Sequence, residues 1–118
     1  MNAAAAALSQ PVICVVGPTA SGKTDVAQLI ATRLVGEVVS ADSMQVYRGM
    51  DIGTGKLPKS ERLVPHYGFD LVDPGEPFSA ALFQAYARES FMEIESKGKR
   101  SILAGGTGFY VRAAIDAY

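Results

Sequence analysis

The sequence predicts an α/β fold, in which helices cover both faces of a parallel β-sheet. Three short apolar segments are typical of buried strands because they run without polar alternation: PVICVVG (11–17), EVVSA (37–41) and SILAG (101–105). Segments with helical periodicity separate them, so strands and helices alternate along the chain. The order strand, loop, helix, strand at the start predicts parallel pairing with a right-handed crossover.

The first helix is predicted from about residue 22 to residue 34, and Gly36 is well placed to end it. Its apolar residues form one stripe, which we expect to face the sheet: Val26, Leu29, Ile30 and Leu34. A second helix is predicted to begin at Ser79, with Lys97 in its last turn and Gly98 as its stop. Its expected buried face consists of Leu82, Phe83, Tyr86, Phe91 and Ile94.

Two further regions complete the predicted organisation. Residues 49–78 are rich in glycine, proline and charge without a sustained period, which predicts a long loop or lid with short structured pieces such as FDLVDP. After a GGTG turn, FYVRAAIDAY (109–118) begins a third helix, which has no capping residue where the sequence stops. We therefore expect a flexible leader at 1–10, and at 11–118 the N-terminal part of a larger, truncated α/β domain.

The composition is that of an ordinary globular protein of 118 residues, with 48% hydrophobic and 19% charged residues. A net charge of −1 excludes a global basic field for nucleic acid or membrane. The leader lacks a basic n-region and is too short to span a bilayer, so we expect a cytoplasmic protein. We also expect a monomer. Cys14 lies in the first strand and is expected to be buried and unreactive, and KGKR (97–100) is expected to be a solvated face or a helix end.

A phosphate-binding loop is the strongest motif in the sequence. GPTASGKT fits G-x-x-x-x-G-K-[ST] and stands between a predicted strand and a predicted helix. Its backbone N–H groups and the helix N-terminus favour phosphate oxygens, Lys23 adds a mobile positive charge, and the Thr24 hydroxyl can ligate Mg²⁺. The fold class is therefore P-loop NTPase-like, a three-layer α/β/α sandwich. The predicted diphosphate- or nucleotide-binding residues are Gly17, Pro18, Thr19, Ala20, Ser21, Gly22, Lys23 and Thr24.

A carboxylate follows the second strand, at the edge where open α/β sheets bind ligands. Asp42 comes directly after EVVSA, and Ser43 and Gln45 beside it can hydrogen-bond a base or a phosphate. Two interpretations stand: Asp42 caps the next helix, or it is a general base kept ionised by the donors around it. Thr107, in the GGTG turn, offers a hydroxyl to the same crevice. The third strand ends without an acid, which argues against nucleotide hydrolysis.

The chain resembles the tRNA dimethylallyltransferases (tRNA isopentenyl transferases) over nearly all of its length after residue 10. Four stretches carry the resemblance: GPTASGKT, SADSMQVYRGMDIGTGK, PHYGFDLVDPGEPFS and ILAGGTGFYVRA. It implies that the loop holds the diphosphate of dimethylallyl diphosphate with Mg²⁺, and that N6 of an adenine in the tRNA anticodon loop is the nucleophile. Where the family has two adjacent histidines this chain has His66 and Tyr67, and Gly55 replaces a common alanine, which weakens a specific role for that loop.

The resemblance also implies roles for individual residues. Asp42 would be the base for N6, Lys23 would neutralise the leaving group, and Thr107 would contact the bridging oxygen of the donor. Mg²⁺ would be held through Thr24. The residues implied to contact tRNA are Asp42, Ser43, Met44, Gln45 and Thr107. Most of the grip on tRNA is expected from sequence beyond this chain, in keeping with its near-neutral charge.

Three alternatives remain open at this point. A small P-loop kinase would need lid arginines, and residues 49–78 contain only Arg62. An adenylate isopentenyltransferase would alkylate free nucleotide, although the DSMQ form favours the tRNA branch. A binding module would hold diphosphate without catalysing a reaction, which we expect of these 118 residues alone.

Overall fold

The computed structural model describes residues 10–17, 22–42, 44–49, 56–106 and 109–115, apart from the side chains of residues 23, 109 and 110. Within these ranges, four strands and three helices follow one another in chain order: β1 (Ile13–Val16), α1 (Lys23–Leu34), β2 (Gly36–Ala41), β3 (His66–Tyr67), α2 (Ala80–Ser96), β4 (Arg100–Gly105) and α3 (Phe109–Ile115). A 3₁₀ turn occupies Lys59–Glu61. None of the helices in the described ranges is long and apolar enough to cross a membrane.

All strands of the sheet are parallel, and they lie in the order β1-β4-β2-β3. The predicted alternation and the parallel sheet are confirmed, but β1 does not pair with β2, since β4 lies between them. β3 was missed by the sequence analysis because two residues in a Gly- and Pro-rich segment show no periodicity. Residues 49–78, which we predicted to form a loop or lid, are therefore attached to the edge of the sheet through β3.

Helices cover both faces of the sheet, which confirms the three-layer arrangement. On one face α1 packs with Ala27 and Ala31 against Val38 of β2 and Ile102 of β4. On the other face α2 and α3 form the larger core with the alternate strand residues. Its buried members are Val39, Ala41, Phe83, Ala87, Phe91, Ile94, Leu103, Val111 and Ala114.

The predicted buried stripe of α1 is wrong. Val26, Leu29 and Leu34 are 42–51% exposed, whereas Ala27 and Ala31 are fully buried and Ile30 is partly buried. Two alanines one turn apart let the helix approach the sheet closely, and larger side chains would hold it away. Gly36 does not end the helix either. Val35 is the C-cap in the left-handed region, and Gly36 begins β2, where a Cβ atom would lie 2.7 Å from the Arg100 carbonyl oxygen.

Helix α2 begins as predicted, with the Ser79 side chain accepting a hydrogen bond of 3.1 Å from the Leu82 N–H. The Leu82 side chain, however, is 52% exposed rather than buried. Cys14 is also exposed, contrary to prediction, because β1 is an edge strand and α2 and α3 pack over β2 and β4. Partial desolvation nevertheless raises the pKa of the Cys14 thiol, which disfavours the reactive thiolate.

A buried carboxylate at the amino end of β2 accounts for the KGKR segment. The Glu37 side chain is 1% exposed and pairs with Lys97 at 2.7 Å and Lys99 at 3.3 Å. The Tyr67 hydroxyl donates to it at 2.7 Å. The predicted helix end is confirmed, because Lys97 is the C-cap of α2. Both lysines also keep 37–40% of their side chains exposed while they compensate a charge that could not otherwise be buried.

The pKa shifts in this cluster follow from its contacts. Burial acts to raise the pKa of Glu37, but hydrogen bonds from Lys97, Tyr67 and Lys99 outweigh it, so the net shift is downward. Burial and the bond to Glu37 raise the pKa of Tyr67 to about 12. Hydrogen bonds to Glu37 and Tyr67 raise the pKa of Lys97. Around neutral pH, Glu37 and Lys97 are therefore charged, and Tyr67 is neutral and donates its hydroxyl proton.

Candidate active site at the carboxyl edge of the sheet

The ends of three strands stand level at one edge of the sheet. Gly105 of β4 is in register with Val16 of β1 on one side and with Ala41 of β2 on the other. The Gly17 N–H donates to the Gly105 carbonyl at 3.2 Å and extends this row by one residue. The start of the phosphate-binding loop, the first two glycines of the GGTG turn and the carboxylate after β2 therefore leave the sheet side by side, which is the edge expected for Asp42.

The described part of the phosphate-binding loop frames the start of α1. Gly22 adopts a left-handed conformation with φ 81° and is the N-cap, without a side-chain hydrogen bond to the helix. The first N–H groups of α1 and its dipole therefore favour a negative ligand. Thr24 lies in this first turn and lines a pocket at the sheet edge. Pro18, Thr19, Ala20, Ser21 and the side chain of Lys23 lie outside the described residues.

Asp42 is held by the turn that follows it. Its Oδ1 accepts hydrogen bonds from the Met44 N–H at 2.8 Å and from the Gln45 N–H at 3.2 Å. The capping interpretation is thus correct in part, although the capped segment is a turn and not a helix. Among the residues that the structure describes, none donates a hydrogen bond to Oδ2. One oxygen fixes the orientation of the carboxylate, and the other can accept a proton.

The pocket brings the two predicted halves of the site together. Thr24 and Asp42 both line it, and Gln45 lies beside them. Val38, Ala104 and the rings of His66 and Phe69 also line it, and these two rings stack with their centroids 5.5 Å apart. Polar groups and apolar side chains therefore meet in one lining, a combination typical of ligand sites.

Gln45 is buried, with 7% of its surface exposed, and its Oε1 accepts a hydrogen bond of 2.7 Å from the Ser40 hydroxyl. Met44 is 44% exposed and reaches the site through its backbone contact with Asp42. Ser43 and Thr107 lie outside the described residues, so their predicted contacts remain predictions.

His66 and Phe69 were not predicted to line the site. His66 Nδ1 lies 2.9 Å from the Val64 carbonyl, which places the ring proton on Nδ1. Burial and the charge of Arg62 lower the pKa of His66 more than the contact with Val64 raises it, so the imidazole is neutral. His66 Nε2 is buried and has no hydrogen-bond partner within the described ranges. The available signal was the pair of aromatic rings in an otherwise Gly- and Pro-rich segment.

The described residues offer little for holding a metal on their own. They contain no group of three or more His, Cys, Asp or Glu side chains that could form a cation cage. Mg²⁺ usually binds through substrate phosphates, water and one or two protein oxygens. The hydroxyl of Thr24, in the first turn of α1, is a protein oxygen of this kind. The donor set is therefore compatible with a magnesium ion that arrives with a diphosphate.

Two family models match the chain. The IPP transferase model covers residues 45–118, which is more than half of the chain, and the isopentenyl transferase model covers residues 10–64. A tRNA dimethylallyltransferase from Pseudarthrobacter chlorophenolicus is 54% identical over 107 residues, which is 90% of this chain and 36% of that protein. The protein of the same name from Geobacter metallireducens is 55% identical over 101 residues, covering 85% and 33%.

Solved structures agree with the sequence comparison. The full-length tRNA isopentenylpyrophosphate transferase from Bacillus halodurans has a TM-score of 0.87 and 50% identity over 93% of this chain and 37% of that one. A eukaryotic dimethylallyltransferase acting on tRNA has a TM-score of 0.84 and 35% identity, covering 89% and 26%. The chain thus spans about a third of the length of the curated relatives that it matches.

Proposed function

Because the chain belongs to the IPP transferase family, we propose that the full-length protein transfers a dimethylallyl group from dimethylallyl diphosphate to N6 of an adenine in the anticodon loop of tRNA. The relatives that match this chain are named for that donor and for tRNA. Diphosphate is the second product. The 118 residues would supply the donor site and the base, with most of the tRNA grip in the remaining sequence.

One observation carries the proposal: Thr24, at the start of the phosphate helix, and Asp42, after β2, line the same pocket. A phosphate-binding loop alone is equally suited to kinases and nucleotide hydrolases. A carboxylate held by backbone N–H groups across the pocket adds a proton acceptor directed at the same ligand. A transferase that removes a proton from its acceptor while a diphosphate leaves needs these two elements together.

The chemistry follows from the two elements. The exocyclic amine of adenine is a weak nucleophile, since its lone pair is delocalised into the ring. As N6 attacks C1 of the allyl group, the N6–C1 bond forms and the C1–O bond breaks with its electron pair going to diphosphate. Asp42 Oδ2 takes the proton that N6 loses. The N-terminal N–H groups of α1 and the Lys23 ammonium would stabilise the charge that grows on the leaving group.

The remaining site residues have supporting roles in this proposal. Mg²⁺ held between the diphosphate and the Thr24 hydroxyl would neutralise phosphate charge when bound. Gln45 and Ser43 would orient the adenine, and Thr107 would contact the bridging oxygen. The target base has to leave the stack of the anticodon loop to reach Asp42, because a stacked base does not offer N6 to a side chain in a pocket.

Replacing Asp42 by Asn tests the base assignment. The amide oxygen can still accept the N–H groups of Met44 and Gln45, so the turn is kept while the proton acceptor is lost. We expect turnover of full-length protein with tRNA and dimethylallyl diphosphate to fall by about 10²–10⁴-fold, with donor binding retained. Asp73→Asn is the matched control, because Asp73 is exposed and pairs only with exposed Arg48 among the described residues.

Turnover within threefold of wild type in Asp42→Asn would refute the role of Asp42. The acceptor is tested separately by offering adenosine monophosphate in place of tRNA. Alkylation of the free nucleotide alone would identify an adenylate isopentenyltransferase, and consumption of ATP without prenyl transfer would identify a kinase.

A further inference from the structure

A buried side-chain amide attaches part of the pocket lining to α1. The Gln28 side chain of α1 accepts a hydrogen bond of 2.6 Å from the Leu63 N–H and donates one of 3.4 Å to the Glu61 carbonyl. Gln28 is 5% exposed. Both ends of its amide are therefore satisfied by backbone groups that lie more than thirty residues further along the chain.

The position of Gln28 within α1 relates it to the site. Gln28 follows Thr24 by four residues, so the two side chains stand on the same side of the helix, one turn apart. Thr24 lines the pocket, and Gln28 holds the segment next to it. A buried amide costs free energy unless it is hydrogen-bonded, so an apolar residue would cover this surface at lower cost if coverage were its only role.

The segment that Gln28 holds is continuous in the chain with His66 and Phe69, which line the pocket. Residues 61–69 together are called the pocket wall below. The Val38 N–H donates to the Pro65 carbonyl at 3.1 Å and joins the middle of the wall to β2. The Arg62 guanidinium lies 4.6 Å from the centre of the Phe69 ring, and Phe69 in turn stacks on His66. Displacement of residues 61–63 would therefore be transmitted to both aromatic rings that face Thr24 and Asp42.

We propose that Gln28 is a positioning residue that fixes the pocket wall relative to the phosphate helix and thereby sets the room available to the allyl group of the donor. The proposal rests on the proposed function for the identity of that group. Gln28 does not touch the donor. It acts through the Leu63 backbone and the stack of Arg62, Phe69 and His66.

The test uses Gln28→Leu and Gln28→Met in the full-length protein. Both variants fill similar volume and lose both hydrogen bonds to the wall. We expect the KM and the Kd for dimethylallyl diphosphate to rise about tenfold, while kcat changes less than threefold. We also expect the preference for dimethylallyl over geranyl diphosphate to fall about tenfold, since a loosened wall admits a longer chain. Thr32→Val is the control, because Thr32 is exposed one turn later and bonds only the Gln28 carbonyl among the described residues.

Hydrogen exchange over residues 61–69 is measured on the same variants. Faster exchange of these amides with an unchanged Kd and unchanged donor preference would show that Gln28 only stabilises the fold, and would overturn the proposal. The Kd for the donor is measured by calorimetry without tRNA. The ratio of the donor Kd in each Gln28 variant to that in the wild-type protein therefore decides the assignment of Gln28. Failure of the wild-type protein to alkylate tRNA would refute the proposed function and would leave this ratio unaffected. The Met variant decides the question if the Leu variant does not fold.

Discussion

The Glu37 cluster makes a quantitative prediction about stability. Replacing Lys97 and Lys99 together by Met leaves a carboxylate that is 1% exposed with only the Tyr67 hydroxyl as a described donor. Removing the partner of a buried charge costs roughly 3–5 kcal/mol. Both lysines are more than a third exposed, so solvent already screens part of their attraction, and we expect about 2–3 kcal/mol for the double variant.

The pH dependence of this cost has a definite sign. In the wild-type protein the pKa of Glu37 is lowered, so its contribution to stability is present above its unfolded pKa and is lost as the pH falls through the folded value. The double variant lacks the cations that lower this pKa, so burial dominates and Glu37 takes up a proton more readily. We therefore expect the difference in unfolding free energy between the double variant and the wild type to become smaller as the pH falls from 7 to 4.5, because Glu37 alone changes its proton binding.

Hydrogen exchange of the β2 amides in the full-length protein measures this effect locally. A cost of about 2–3 kcal/mol predicts exchange roughly 30- to 150-fold faster at pH 7, since 1.36 kcal/mol corresponds to a factor of ten. Adding Glu37→Gln to the double variant removes the unpaired charge and should recover most of the protection. A triple variant that exchanges as fast as the double variant would refute the reasoning, because the loss would then come from packing and not from a buried charge.

Two further predictions concern the site edge and a helix end. Gly105→Ala should destabilise the protein by about 1–3 kcal/mol and reduce turnover, because a Cβ atom would lie 2.6 Å from the Ala41 carbonyl oxygen, next to Asp42. Gly106→Ala is the control, because a Cβ atom there would lie 3.8 Å from its nearest described neighbour, the Gly17 carbonyl oxygen. An equal fall in melting temperature in the two variants would contradict the argument. Ser79→Ala should lower the free energy of unfolding by about 1 kcal/mol, because it removes the side-chain cap of α2. We expect faster hydrogen exchange of the amides in the first turn of α2 and nowhere else. Unchanged exchange there would mean that the cap does not stabilise the helix.

Several features of the site could be predicted because they depend on local sequence. The phosphate loop needs glycines and a lysine between a strand and a helix, and all of these are neighbours in the chain. Asp42 could be placed at the carboxyl edge because it directly follows an apolar strand. Its contact with the backbone at Met44 and Gln45 was one of the two interpretations offered by its position.

Other features depended on packing that no local period encodes. The stripe of Val26, Leu29 and Leu34 satisfies helical periodicity, yet the smaller Ala27 and Ala31 face the sheet. A periodic pattern identifies an apolar face, whereas close approach between layers selects for small volume. Glu37 illustrates the same limit. A charged residue in a strand reads as exposed until the lysines from a distant turn are brought beside it.

The sequence by itself determined the alternation of strands and helices, the phosphate-binding loop and the family, because each of these is written in residues close together along the chain. Only the tertiary structure decided that β4 lies between β1 and β2, and that His66 and Phe69 form a wall facing Thr24 and Asp42. The physical reason is that strand order and pocket lining are set by contacts between residues distant in sequence. The free energy of those contacts depends on how whole layers fit together.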